Sequence, residues 1–244
     1  MFNNLGPAVK NIIIINILVY LACFAVPQLR DMLSGYFYQS PNFRPWQLVT
    51  HMFTHAPSIS HIFFNMYGLF IFGSALERYW GSKRFLIYYF VCGFGAFFLH
   101  EAINYVEIQN LISQLSPLAV QEVFEEGAGI IREGKNYTDP GYGALNAALN
   151  VGVVGASGCV FGVLLAFGMM FPNTELMLLF PPIPLKAKWF VMIYGAIELM
   201  LALQNSPGDN VAHYAHLGGM IFGFILLKVW KKRDGSLYGN NNFY

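Results

Sequence analysis

The stretch V153-VGASGCVFGVLLAF-G168 decides how the chain is read. It is apolar enough to be bound for lipid, yet Ser157 stands between Gly155-Ala156 and Gly158, where a helix should begin. A hydroxyl at membrane depth needs either a partner or a purpose. The rest of the chain shows which.

Of 244 residues, 56% are hydrophobic and 11% charged, with a mean hydropathy of +0.47. That is more apolar surface than a soluble domain of this length buries. Spanning a bilayer takes roughly 20 mostly apolar residues, and six segments qualify, near 9–26, 61–80, 85–105, 152–171, 187–204 and 211–230. The first, with its core IIIINILVYLACFAV, runs into Pro27 and Gln28 without a small-x-small cleavage site, so it reads as a span and not a signal peptide. Cys23, Cys92 and Cys159 lie inside apolar runs and read as small packed side chains, not a disulfide framework.

Lys and Arg are retained on the cytoplasmic side during insertion. With the N-terminus inside, ten fall on that side (Lys10; Arg78, Lys83, Arg84; Lys186, Lys188; Lys228, Lys231, Lys232, Arg233) and four outside (Arg30, Arg44, Arg132, Lys135). The expected fold is therefore an all-α membrane protein, a bundle of six transmembrane helices with both termini cytoplasmic. Residues 1–230 form the membrane domain and 231–244 a short polar cytoplasmic tail. The net charge of +1 is uninformative beside this cation asymmetry, and no basic cluster suggests nucleic acid as a partner. Two outer loops are long. That at 27–60 contains the half-apolar PWQLVTHMFTHAPSIS, expected to dip into the interface. That at 106–151 contains LAVQEVFEEGAGIIREGK, expected to form an amphipathic helix outside the bilayer.

The polar residues at membrane depth gather at three helix starts on the outer side: His61 and Asn65 in HIFFN, Ser157 in GASG, and His213 and His216 in VAHYAHLGG. Small residues recurring every four positions let membrane helices approach closely. Gly158 and Gly162 do so in the fourth segment. Ala212, His216, Gly219 and Gly223 form one stripe in the sixth. Docking those stripes brings His216 toward Ser157. A neutral histidine is the usual base for a serine nucleophile at physiological pH. The flanking glycines leave backbone N–H groups accessible to an oxyanion. His61 and Asn65, at i and i+4, lie on one face and can aim side-chain N–H groups at the same oxygen. Ser157 and His216 form a dyad without the aspartate of a triad, and no acidic residue is expected beside the imidazole. The ring would be oriented by packing and hydrogen bonds, one possibility being a stack on Phe161. His213 lies about 100° off the stripe and reads as a neighbour, not the base. Glu77 and Arg78 read as a structural pair satisfying loop backbone, and Glu198 has no evident partner.

At this point the chain resembles the rhomboid family of intramembrane serine proteases. The resemblance rests on five segments in order: WQLVTHMFTH (46–55), HIFFN (61–65), ERYWG (77–81), GASG (155–158) and AHLGGMIFG (215–223). It implies cleavage of transmembrane protein substrates near their outer ends, without metal or other cofactor, in a multi-pass protein surrounded by membrane lipid. It further implies Ser157 as nucleophile and His216 as general base and then acid. The oxyanion hole would be formed by His61, Asn65 and the Ser157 backbone N–H. A cap is implied at 204–210, where SPGD is itself a turn sequence, with substrate entering beside the fifth segment. The expected location is a bacterial plasma membrane. One departure is Gln47, which follows Trp46 where many members carry arginine.

Other readings are available. His51 and His55 stand at i and i+4, and His61, His213 and His216 could join them around a metal, but Met52 occupies the position where an HExxH helix needs glutamate. The simpler reading of His51 and His55 is structural. A non-catalytic rhomboid-like protein that binds transmembrane helices is the alternative from another class. A transporter would need broken helices in two matching halves, which are not seen.

Overall fold

The structure is a computed structural model, described here over residues 5–177, 182–204 and 212–235. Helix α1 (Pro7–Ala25) begins with proline in its first turn, where a missing N–H costs nothing. A short α2 (Gln28–Leu33) and α3 (Gln47–Thr50), the latter running into a 3-10 turn at His51–Phe53, make up the helical part of the first loop. Next comes one apolar helix in three sections: α4 (Ile59–Gly68), a π-helical stretch Leu69–Gly73, and α5 (Ser74–Trp80). Gly81, at φ +75°, turns the chain into α6 (Ser82–Gln114). Helices α7 (Pro117–Arg132), α8 (Pro140–Asn150) and α9 (Ser157–Met170) follow. A hairpin pairs β1 (Glu175–Met177) antiparallel with β2 (Pro184–Lys186), with Leu176 opposite Leu185. The chain closes with α10 (Ala187–Gln204) and α11 (His213–Asp234).

Helices thus stand at all six apolar segments, and among the described residues four are long and apolar enough to cross a membrane: Pro7–Ala25, Ile59–Trp80, Ser82–Gln114 and Ala187–Gln204. Their outward faces agree with lipid contact: Leu18, Leu21 and Phe24 on α1 and Met192, Met200 and Leu203 on α10 are exposed. The expectation of helices alone missed the small hairpin. Helix α11 continues through Lys231, Lys232 and Arg233 to Asp234, while the expected cap at 205–210 and the tail beyond Gly235 fall outside the described residues.

Two differences from the expected boundaries shape the site. First, α6 has 33 residues and so rises about 50 Å, well beyond a hydrocarbon core of roughly 30 Å. Its last turns meet α7 and α8 in a second apolar core of Phe37, Ile108, Val123, Leu145 and Leu149, so the second long loop is largely helical. Second, α9 has only 14 residues, a rise of about 21 Å, and residues expected to open that helix are not helical. The segment before it is pinned as extended chain by paired backbone bonds between Gly35 and Val153 (2.9 and 2.7 Å) and by Gly155 N–H donating to the His51 carbonyl at 3.0 Å. Ser157 therefore begins a helix too short to reach across a bilayer by itself.

The main core is built by α1, the Ile59–Trp80 helix, α6, α9 and α11 around Leu69, Leu76, Tyr88, Cys92, Val163 and Leu227. The α9–α11 contact is backbone against backbone: a Cβ on Gly219 would overlap the Gly158 carbonyl, and one on Gly162 would come within 2.9 Å of the Gly219 carbonyl. Tyr88 Oη donates to the Gly162 carbonyl at 2.8 Å, tying α6 to the same seam. Glu77 holds the opposite end. Its carboxylate accepts from the Ala8 and Val9 N–H groups at the start of α1 (2.8 and 2.9 Å) and from Ser82 Oγ (2.6 Å). This is the backbone-satisfying role expected of Glu77, played toward α1. The cysteines are free and buried.

Candidate active site

Helices α4, α9 and α11 start at the edge of one cleft of about 660 Å³, lined by His61, Val151, Gly152, Val153, Val154, Ser157, His213 and His216, with His100 and Glu107 of α6 on its far wall. The close glycine seam places α11 so that His216 Nε2 lies 2.8 Å from Ser157 Oγ. The His216 ring stacks on Phe161, with centroids 4.1 Å apart and planes 8° apart, one turn along α9 from the serine. Ser157 is half-buried, while the imidazole is 8% exposed.

Gly155 has φ +134°, a conformation that side chains rarely adopt. A methyl group there would sit 3.1 Å from His61 Nε2 and 3.3 Å from Ser157 Oγ, so those two groups face one small space that only glycine leaves empty. His61 Nδ1 accepts from the Ala56 N–H at 3.3 Å, which puts the ring proton on Nε2, the atom facing that space. Ser157 opens α9, so the first N–H groups of this helix have no acceptor within the helix. Asn65 is buried and its Nδ2 donates to the His61 carbonyl at 2.9 Å. It lies one turn below His61 and is not part of the cleft wall.

The expectation that no acidic residue approaches the imidazole is corrected by the structure. Glu198 of α10 accepts on one oxygen, Oε2, from His216 Nδ1 at 2.9 Å and from His213 Nδ1 at 2.6 Å. The two imidazoles are perpendicular, 6.2 Å between centroids. Nothing in local spacing linked Glu198 to His216, because they sit on different helices. The available signal was the cost of a lone carboxylate within an apolar helix.

His51 and His55 have structural surroundings. His51 Nδ1 donates to the Gln47 carbonyl at 2.7 Å, and its ring lies 4.7 Å from that of Phe97. His55 is fully buried, edge-on to His61 at 5.1 Å. Burial pushes both imidazoles down to about 4, and the neighbouring His61 adds to the effect at His55. Gln47 is buried and stitches the first loop: its Oε1 accepts from Arg44 N–H at 2.8 Å, and its Nε2 donates to the Asn42 and Met32 carbonyls at 3.0 and 3.2 Å. A neutral amide serves both as donor and acceptor here, which a guanidinium could not.

Among the described residues, Glu198, His213 and His216 are the one group with donor atoms close enough to hold a cation, all within 4.8 Å. Their N···O separations of 2.6 and 2.9 Å are hydrogen-bond lengths. Two ligands about 2.0–2.1 Å from a tetrahedral ion stand roughly 3.3 Å apart. The arrangement is that of a proton-bridged cluster.

Comparison with known proteins agrees with this architecture. The Rhomboid domain family matches residues 42–115 and 129–233. An uncharacterized mitochondrial rhomboid protein of Schizosaccharomyces pombe is 30% identical over 221 residues, covering 80% of this chain and 53% of the relative. The rhomboid protease AarA of Providencia stuartii is 25% identical over 182 residues, 74% of this chain and 54% of AarA. The human mitochondrial presenilin-associated rhomboid-like protein is 26% identical over 250 residues, 96% of this chain and 53% of that protein. The chain spans about half the length of these relatives. It is an integral membrane protein of the rhomboid family.

Proposed function

We propose that this protein is an intramembrane serine endopeptidase that cleaves transmembrane protein substrates near the outer membrane face, with Ser157 as nucleophile and His216 as general base. One observation carries the reading: Ser157 Oγ lies 2.8 Å from His216 Nε2 at the wall of a cleft of about 660 Å³. With the proton on His216 Nδ1, Nε2 takes the serine proton as Oγ attacks the scissile carbonyl carbon. The carbonyl oxygen becomes an oxyanion in the space beside Gly155, where His61 Nε2–H and the Ser157 backbone N–H donate to it. Asn65, the third expected donor, sits one turn below the cleft wall with its amide on the His61 carbonyl, and would reach the oxyanion only by turning its side chain toward the cleft. His216 then passes its proton to the departing amine, leaving an acyl-serine. A water deprotonated by the same imidazole cleaves the ester and restores the hydroxyl.

The short α9 explains how water and a membrane reaction coexist: the helix begins below the membrane surface, and the extended chain ahead of it leaves the cleft open. We place both termini in the cytoplasm and the cleft on the outer side, with six segments across the bilayer, the fourth completed by the extended chain ahead of α9, because the cation asymmetry then follows the insertion rule. A bacterial plasma membrane is the proposed location, and two of the relatives above are mitochondrial.

The test uses purified protein in micelles with a model transmembrane substrate. Cleavage and labelling by a fluorophosphonate are expected for the intact protein, both lost in Ser157→Ala and His216→Ala, with activity surviving a chelator. Cleavage by Ser157→Ala would reject the assignment. Substrate binding by the intact protein with neither cleavage nor labelling would favour the helix-binding alternative.

A further inference from the structure

We propose that Glu198 is a positioning residue for His216, so that the site works as a Ser157–His216–Glu198 triad whose carboxylate is pinned by His213. This rests on the serine-protease reading above. Glu198 is the only acidic residue of α10 and is 7% exposed. A carboxylate inside an apolar helix is costly without a partner, and here it meets two ring N–H groups on a single oxygen.

That geometry does three things for the base. A carboxylate accepting from Nδ1 selects the tautomer in which Nδ1 carries the proton, leaving the Nε2 lone pair toward Ser157 Oγ. Together with the Phe161 ring on one face, it stops the imidazole from rotating away from the serine. Its negative charge stabilises the imidazolium that forms as the serine proton arrives. His213 has a different task from His216: its Nδ1 holds the same Oε2 at 2.6 Å, so the carboxylate cannot swing toward lipid. Because Glu198 belongs to α10 and both histidines to α11, the base is in register only while these two helices are seated together.

The experiment compares intact protein with Glu198→Gln, Glu198→Asp and His213→Gln in micelles, reading kcat, KM, the fluorophosphonate labelling rate and the thermal midpoint. Glu198→Gln is expected to lose about 10²- to 10⁴-fold in kcat, as when a triad carboxylate is made an amide, with labelling slowed alike and KM within about threefold. Glu198→Asp should recover part of that loss, and His213→Gln should show a smaller one. A Glu198→Gln protein with wild-type kcat overturns the proposal while leaving the serine-protease reading intact. An intact protein that neither cleaves nor labels overturns the latter. Should Glu198→Gln not fold, ¹⁵N shifts of the histidines in the intact protein decide: a protonated Nδ1 on His216 supports the proposal, and a proton on Nε2 at neutral pH overturns it.

Discussion

Gly219 of α11 lies so close to the Gly158 carbonyl of α9 that a Cβ there would overlap it, and this contact sets the distance between His216 and Ser157. Each glycine is within one turn of the residue it positions. The seam is thus both a packing device and the ruler of the site.

Gly219→Ala should therefore wedge the two helices apart. Overpacking costs about 1–3 kcal/mol, and cleavage should fall at least tenfold, since the hydrogen bond cannot stretch far. Gly129→Ala is the control: nothing lies within 4 Å of a Cβ there, and alanine favours a helix interior by roughly 0.5–1 kcal/mol. Thermal midpoints and cleavage rates of both variants check this. A wild-type rate in Gly219→Ala would show that the seam does not set the geometry.

His61→Ala and Asn65→Ala test the proposed oxyanion site. Removing one oxyanion donor costs about 10²- to 10³-fold in kcat. The larger loss is expected for His61, whose Nε2 already faces the space beside Gly155. KM should change little. Equal rates for His61→Ala and wild type would move the oxyanion elsewhere.

Glu77→Ala should loosen the start of α1. It removes the acceptor of the Ala8 and Val9 N–H groups and of Ser82, and Ala8 and Val9 are buried. Stranding those donors costs about 2–4 kcal/mol, visible as a lower thermal midpoint. Because Glu77 lies far from the cleft, the rate of the folded fraction should be retained.

Stability should fall on acidification. Burial holds His51 and His55 at about 4, while an unfolded histidine titrates near 6.5. Between these values the unfolded chain binds protons that the folded loop does not, so stability is full above about pH 6.5 and declines as pH drops toward 4. Thermal midpoints measured from pH 7.5 to 4.5 check the slope. A His51→Gln, His55→Gln protein should show a flatter one, and an identical slope would assign the effect to other groups.

The sequence alone determined a great deal, because its signals are local. Apolar runs of bilayer length, cations biased to one set of loops, and glycines at four-residue spacing each depend on neighbours along the chain. The i, i+4 and GASG patterns likewise point to Ser157, His216, His61 and Asn65 as candidates without knowledge of the fold. The one-turn offset of Phe161 from Ser157 made its stack on His216 one possibility, which the docking of α9 on α11 realises. By contrast, the length of α9 was misjudged, since an apolar pattern does not reveal that Val153 and Gly155 are claimed by the backbone of Gly35 and His51. Tertiary structure decided the Glu198 contact with His213 and His216, the use of Gln47 as a loop stitch, and the second core joining α6 to α7 and α8. Each of these depends on groups distant along the chain or on separate elements being brought together, and periodicity reports which face of a helix is apolar, not what that face will meet.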